Sequence, residues 1–330
     1  MTPKRSRVLI FGSGSFAVGL AHVLRRRGAE VWVLCRREER VREIIARRHG
    51  SLPGIDLAEG IRATLELSGD APSFDFAISA VPTQRLRSSL ELRSSELPAG
   101  IPWISASKGI ELRTGFRPSE IIAAFGLDAA PAVLSGPSHA EEVVRDVPTA
   151  VVLATEDSSR GPALQSALST ERFRVYWNRD PVGVEWAGAL KNVIALAAGI
   201  AVGHGFGDNT LAALVTRGAV EMARFGVAMG GQRDTFFGLA GIGDLMVTCF
   251  SEHSRNRSVG VRMGRGETVA SILEGMTQVA EGISTATAVA ERARAIGIEL
   301  PIADEVDRIL SGMDVEQGVQ ALLSRSLKPE

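Results

Sequence analysis

Cysteine is scarce in this chain: Cys35 and Cys249 are the only two among 330 residues, with no CxxC spacing. That excludes a disulfide framework and makes a reducing compartment, the cytoplasm, the expected location. Histidine is nearly as sparse. His22, His49, His139, His204 and His253 are scattered with no i, i+4 pair, so no metal site is expected. An excess of one charge is also missing, since 37 basic and 38 acidic residues leave a formal net charge of −1. No global field therefore favours a nucleic-acid or membrane-surface partner. The start, Met1 to Ser6, is short, polar and basic, and the apolar run Val8 to Phe11 is too short for a signal peptide. The most apolar later stretch, Ala187 to Gly203, carries Lys191 and Asn192 and reads as a buried helix rather than a membrane span.

What is present suits a two-domain enzyme. Hydrophobic residues make up 45% of the chain, enough for a large core at this length. The first half alternates short β-branched runs with helical patterns, the mark of a parallel sheet with crossover helices. Strands are expected at Val8–Phe11, Glu30–Cys35, Ile61–Leu65, Phe74–Ala80, Ile101–Ala106, Ala132–Ser135, Ala150–Ala154 and Phe173–Tyr176. Helices are expected at Ser15–Arg27, closed by Gly28, and at Glu38–Arg48, Thr83–Leu92, Pro118–Phe125 and Ser158–Leu168. From Pro181 onward the period changes from 2 to 3.6, with helices expected at Val184–Ala201, Thr210–Phe225, Thr268–Leu273, Ser284–Ile296 and Ala303–Leu310. The expected class is α/β: a Rossmann-type, parallel-rich sheet domain over 1–181, then an all-α domain over 182–330, packed around a shared cleft.

Between the first strand and helix lies Gly12-Ser13-Gly14-Ser15-Phe16-Ala17, a G-x-G-x-x-G/A turn. Alone the pattern is weak, but its strand–turn–helix context points to a dinucleotide. Gly12 permits the tight turn, Gly14 lets backbone approach a pyrophosphate, and Ala17 is small enough for helix–sheet packing. NAD binders place an acidic residue about 20 positions after the glycines; here Arg36 and Arg37 stand instead. Two guanidiniums suit a 2′-phosphate, so NADP is preferred and NAD is the alternative. The competing reading is that both arginines simply begin a solvated helix.

Three segments fall beyond strand ends, where ligands of open α/β sheets lie: Val81-Pro82, Ser105 to Gly109 with Lys108 (by itself a surface loop lysine), and Leu134 to His139 with Gly136 and Ser138. Lys191 stands in an otherwise apolar helix, so it either snorkels to solvent or faces a cleft as a general acid/base. Gly241-Ile242-Gly243-Asp244 presents one carboxylate, either as a functional group or as a helix N-cap. Ser251-Glu252-His253-Ser254-Arg255-Asn256-Arg257 reads as a helix start rich in anion partners, with Ser254 and Arg255 open to a phosphate, or its arginines as a solvated face.

Taken together, these segments resemble the bacterial NAD(P)-dependent glycerol-3-phosphate dehydrogenases over nearly the whole chain. The motifs are Ser107-Lys108-Gly109, Leu134-Ser135-Gly136-Pro137-Ser138, Leu190-Lys191-Asn192-Val193-Ile194-Ala195, Gly241-Ile242-Gly243-Asp244-Leu245, Ser254-Arg255-Asn256-Arg257 and Val279-Ala280-Glu281-Gly282. The resemblance implies reversible hydride transfer between NAD(P)H and dihydroxyacetone phosphate, giving sn-glycerol 3-phosphate for glycerophospholipids. It implies Lys191 as proton donor and acceptor, with Lys108 and Asp244 positioning the substrate beside it. It implies Gly136, Ser138, Ser254, Arg255 and Asn256 as substrate contacts, with Arg255 clamping the phosphate. Ser15, Phe16, Arg36, Arg37, Ala140, Val279 and Glu281 become cofactor contacts, with Lys108 and Arg255 close to both ligands. Two departures stand out: Ala17 where many relatives have glycine, and Leu211 where relatives often carry a basic residue.

Two other readings share the dinucleotide turn. One is a hydroxy-acid dehydrogenase, which needs a carboxylate site but no phosphate clamp. The other is a non-catalytic redox sensor that binds dinucleotide and a partner protein. A homodimer is the base-rate expectation for assembly.

Overall fold

A computed structural model describes residues 6–67, 71–276 and 280–324. The chain divides into two compact units, one of residues 1–108 and 117–184, the other of residues 109–116 and 185–330.

The first unit is an α/β sandwich. Its strands are β1 (Arg7–Phe11), β2 (Glu30–Leu34), β3 (Arg62–Thr64), β4 (Phe76–Ser79), β5 (Trp103–Ser105), β6 (Ala132–Ser135), β7 (Thr149–Ala154) and β8 (Phe173–Asn178). They form one sheet in the order β3-β2-β1-β4-β5-β6-β7-β8. Its helices are α1 (Ser15–Arg26), α2 (Glu38–Ile45), α3 (Thr83–Arg93), α4 (Pro118–Ala124), α5 (Ala140–Val143) and α6 (Arg160–Leu168). Strand β1 shows why apolar runs become central strands here. Val8 and Ile10 enter one core with Val18, Leu20 and Val31, while Leu9 and Phe11 enter the other with Leu86, Leu90 and Trp103. A strand buried on both faces needs a continuous hydrophobic run rather than alternation.

Differences from the expected elements have local causes. The helix α2 stops at Ile45, not Arg48, because Arg47 takes a left-handed φ of 58°. The pair β6–β7 is antiparallel, whereas every other pair in the sheet is parallel. Side-chain period alone carries no strand direction, so this reversal was not legible.

The second unit is helical among its described residues. After α7 (Pro181–Gly203) and α8 (Asp208–Ala228) come a 3-10 turn (Arg233–Phe237) and a π-helical turn (Leu239–Gly243). These lead into α9 (Asp244–Phe250), α10 (Arg255–Gly264), α11 (Val269–Glu274), α12 (Glu281–Ile296), α13 (Pro301–Leu310) and α14 (Val315–Leu323). The helix α7 is long and apolar enough to cross a membrane, but 89% of its most apolar window is buried in the protein. The residue expected at the domain boundary, 181, begins α7, and the division between units falls three residues later.

Helices α7 and α10 meet backbone to backbone. A Cβ on Gly260 would lie 2.2 Å from the Leu196 carbonyl oxygen, and one on Gly264 would lie 2.3 Å from that of Ile200. From the other side, a Cβ on Gly203 would lie 2.1 Å from the Val261 carbonyl oxygen. Glycines four apart on both helices allow this approach, which fixes α10 against α7.

Candidate functional site

In the first unit the glycine-rich turn joins β1 to α1. Gly12 has φ 115°, and a Cβ there would stand 2.9 Å from the Ala80 carbonyl oxygen. Only glycine fits that conformation and that approach. Gly14 is different: a Cβ there would meet nothing within 4 Å. The protein itself does not require glycine at this position, so the open space suits close approach by a ligand. Gly14 caps α1, no acidic residue stands in its first turn, and Ala17 is buried against the sheet. The helix thus offers unneutralised N–H groups, a setting that fits the pyrophosphate of a dinucleotide. Ser15 and Phe16 are half-buried in that first turn.

Arg36 and Arg37 follow β2 and are exposed, with Arg37 Nη1 3.8 Å from Glu39 Oε2. Such a long, solvated pair contributes little and leaves the guanidiniums available to an anion. At the ends of β5 and β6, Lys108 Nζ donates to the Gly136 carbonyl oxygen at 2.9 Å, and Ser138 Oγ donates to the same oxygen at 2.9 Å. One carbonyl therefore gathers Lys108, Gly136 and Ser138. Gly136 has φ 133° and lies against the Val151 backbone, so no other residue suits it. Ala140 is buried at the start of α5.

In the second unit, Lys191 of α7 does not snorkel. Its side chain is 8% exposed and its Nζ lies 2.7 Å from Asp244 Oδ1, whose side chain is 1% exposed. Lys191 Nζ also donates to Thr248 Oγ1 at 2.7 Å, and that hydroxyl donates to the Asp244 main-chain oxygen at 2.5 Å. Asp244 is therefore no N-cap; Gly243 holds that place at the end of the π turn, a helical irregularity common at functional positions. Thr248 was missed at the sequence level. Its one signal was the i+4 spacing from Asp244, which places both on one face of α9.

Ser254 is buried, and its hydroxyl caps α10 by accepting from Arg257 N at 3.2 Å. Arg255 is exposed at the first helical position and lines a cavity of about 190 Å³ with Ser254, Ser258, Arg262, Ile272 and Met276. Asn256 is buried, and its amide is committed: Nδ2 donates to Asn192 Oδ1 and Oδ1 accepts from Gly282 N, each at 2.9 Å. This amide chain ties α7, α10 and the first turn of α12, where Glu281 is half-buried. Val279 lies outside the described residues. Leu211 is buried in α8, so no basic residue is needed at that point for packing. No group of three His, Cys, Asp or Glu side chains suited to a metal occurs among the described residues.

Comparison with known proteins agrees with these features. Residues 7–160 match the family model for the N-terminus of NAD-dependent glycerol-3-phosphate dehydrogenase, and residues 180–320 match the model for its C-terminus. A protein of Parvibaculum lavamentivorans named glycerol-3-phosphate dehydrogenase (NAD(P)+) is 42% identical over 333 residues, covering 100% of both chains. One of the same name from Geobacter sulfurreducens is 44% identical, covering 98% of each. The crystal structure of glycerol-3-phosphate dehydrogenase from Coxiella burnetii superposes with a TM-score of 0.92 at 34% identity, covering 98% of this chain and 100% of that one. Matches at both ends, full-length relatives above 40% identity and a shared fold lead to one placement: the chain belongs to the NAD-dependent glycerol-3-phosphate dehydrogenase family.

Proposed function

We propose that this chain is an NAD(P)-dependent sn-glycerol-3-phosphate dehydrogenase, interconverting dihydroxyacetone phosphate and sn-glycerol 3-phosphate for glycerophospholipid synthesis. The observation that carries the reading is the buried Lys191–Asp244–Thr248 cluster in a chain of this family. Most of the dinucleotide contacts fall to residues 1–181, and the reacting lysine and the phosphate clamp to residues 182–330. The dinucleotide, when bound, supplies or removes the hydride at C2 of the substrate.

The remaining work belongs to side chains. As the C2 carbonyl is reduced, charge develops on its oxygen, and the Lys191 ammonium offsets it and donates the proton. In the reverse direction neutral Lys191 takes the hydroxyl proton. Asp244 and Thr248 hold the amine in place, and the Asp244 carboxylate offsets the cost of burying its charge. Lys108, fixed on the Gly136 carbonyl with Ser138, positions the substrate.

The phosphate falls to the start of α10. Arg255 supplies a guanidinium fork, and the Ser254 O–H still has its proton to donate. Asn256 contributes its main-chain N–H, because its side-chain amide is already used within the protein. Remote binding of this dianion orients the reacting carbon. Gly12, Gly14, Ser15, Phe16, Arg36, Arg37 and Ala140 serve the cofactor, joined by Val279 and Glu281, with Arg36 and Arg37 favouring NADP over NAD.

Family membership and the guanidinium at α10 favour a phosphorylated substrate over a hydroxy acid. A buried, ion-paired lysine favours an enzyme over a sensor. A cytoplasmic homodimer without nucleic-acid partners completes the proposal. The test is steady-state oxidation of NADPH and NADH by the purified chain. Turnover with dihydroxyacetone phosphate is expected; turnover only with 2- or 3-keto acids would overturn the substrate assignment.

A further inference from the structure

His49 belongs to none of the motifs above, yet it is buried beside the glycine-rich turn. Its Nε2 lies 3.0 Å from the Ser13 main-chain oxygen, and its Nδ1 accepts the Ser51 N–H at 3.2 Å. These two partners settle the tautomer. A backbone N–H can only donate, so Nδ1 carries no proton; a carbonyl can only accept, so Nε2 carries it.

The segment that presents His49 is itself closed. The left-handed Arg47 accepts the Leu57 N–H on its carbonyl at 2.9 Å and returns a bond from Nε to the Leu57 oxygen at 2.8 Å. Gly50 N donates to Glu43 Oε2 at 3.3 Å, and Ala58 N donates to His22 Nδ1 of α1 at 3.0 Å. Within the segment, Leu52 is buried with Ala140 and Val144, against which Phe16 packs. One connection outside the sequence motifs thus touches three parts of the cofactor region: the turn, the first turn of α1 and the start of α5.

We propose that His49 is a positioning residue for the dinucleotide, acting through the Ser13–Gly14 peptide. In a trans peptide the C=O and the next N–H point in opposite directions. Holding the Ser13 oxygen against the imidazole therefore turns the Gly14 N–H away from the His49 segment, and keeps it there before any ligand arrives. Without the imidazole the peptide at this glycine is free to rotate, and ordering it falls on the binding step. The inference rests on the dinucleotide reading of the turn.

The chemistry also gives a pH signature. Burial, with the Arg40 guanidinium, holds the His49 imidazole below its ordinary value of 6.5, against the Ser13 bond and the Glu43 carboxylate, which act the other way. Arg40 and Glu43, both on α2, are the charged groups facing the ring. Once the ring takes a second proton, Nδ1 becomes a donor facing the Ser51 N–H, and that contact turns repulsive.

The experiment is NADPH titration of the full chain by fluorescence from about pH 8 down to about pH 5, with wild type, His49→Gln and His49→Leu. His49→Leu removes both ring hydrogen bonds, and loss of the one to the Ser13 oxygen weakens NADPH about tenfold, an effect that falls on the cofactor KM rather than on kcat. His49→Gln restores affinity near pH 8 to within about threefold, since its amide can both donate and accept. It also removes the weakening that wild type shows below pH 6.5. Equal affinities in all three proteins, or the same acid limb in His49→Gln, would overturn the role of His49 alone. Failure of wild type to bind either dinucleotide would overturn the reading of the turn, and this proposal with it. Should His49→Leu not fold, wild type against His49→Gln across pH decides the matter.

Discussion

The Lys191–Asp244 pair allows catalysis and stability to be separated by a double-mutant cycle. Both side chains are almost wholly buried, at 8% and 1% exposure. Lys191→Met keeps most of the lysine stem and removes the ammonium. The Asp244 carboxylate then stays buried without its cation, which costs about 3–5 kcal/mol. Asp244→Leu strands the ammonium instead, at a similar cost. Lys191→Met combined with Asp244→Leu places two apolar groups of fitting size together, and a replaced buried pair of this kind is often neutral or stabilising. The double variant should therefore lie within about 2 kcal/mol of wild type, giving a coupling energy on the order of 4 kcal/mol or more. Thr248 does not confuse the cycle, because its hydroxyl keeps its bond to the Asp244 main-chain oxygen in every variant.

Urea unfolding followed by circular dichroism measures the stability arm. The kinetic arm is NADPH oxidation with saturating dihydroxyacetone phosphate. Both variants that lack Lys191 should lose about 10²–10⁴-fold in kcat, the usual contribution of a positioned acid. Stability should thus return in the double variant while activity does not. Recovery of kcat together with stability would refute the proton-transfer role, because the lysine would then act only as a packing element. A coupling energy below about 1 kcal/mol would refute the buried ion pair itself.

Three further outcomes test other parts of the molecule. Arg255→Ala should raise KM for dihydroxyacetone phosphate by roughly 10–100-fold, as expected when a charged hydrogen-bonding partner is lost; an unchanged KM in steady-state assays removes Arg255 from the phosphate. Arg36→Ala with Arg37→Ala should weaken NADPH more than NADH in fluorescence titrations, and equal losses would mean neither arginine reads the 2′-phosphate. Glu221 of α8 accepts from Ile302 N and Ala303 N at the start of α13, and burial pushes its carboxyl up to about 7. A carboxyl raised in the folded state binds its proton more tightly there than in the unfolded chain. Stability should accordingly fall as pH rises from about 4.5 to about 7, by at most about 3 kcal/mol, and Glu221→Gln should flatten that slope in urea titrations.

Much of the fold was legible because its signals are local. Val8–Phe11 is apolar without alternation, and burial on both sheet faces explains why. Ala132–Ser135 is bounded by turn residues and forms as expected. The helix α10 was legible only at its start. Its interior holds Gly260 and Gly264, which weaken any helical pattern. Those glycines serve a partner far along the chain, since they let α10 touch the α7 backbone at Leu196 and Ile200. Local propensity and long-range packing disagree there, and a reading from propensity alone misses the helix. The grouping of segment 109–116 with the helical unit was not legible, since the expected first domain runs unbroken over 1–181.

Site residues followed a different rule. Residue type announced which groups can do chemistry, and three-dimensional partners decided which of their atoms remain available. Lys191 was open between solvent and a buried role until Asp244 and Thr248 were found around its amine. Asn256 stands in a motif that suits an anion, yet both ends of its amide are spent on Asn192 and Gly282. Conversely, His49 has no motif and gains its place only because a closed connection carries it to the Ser13 carbonyl. A motif identifies where a ligand's charge is answered. The groups that hold the motif's peptides in the right orientation come from segments whose sequence need only fold back, so they emerge from hydrogen-bond partners rather than from patterns.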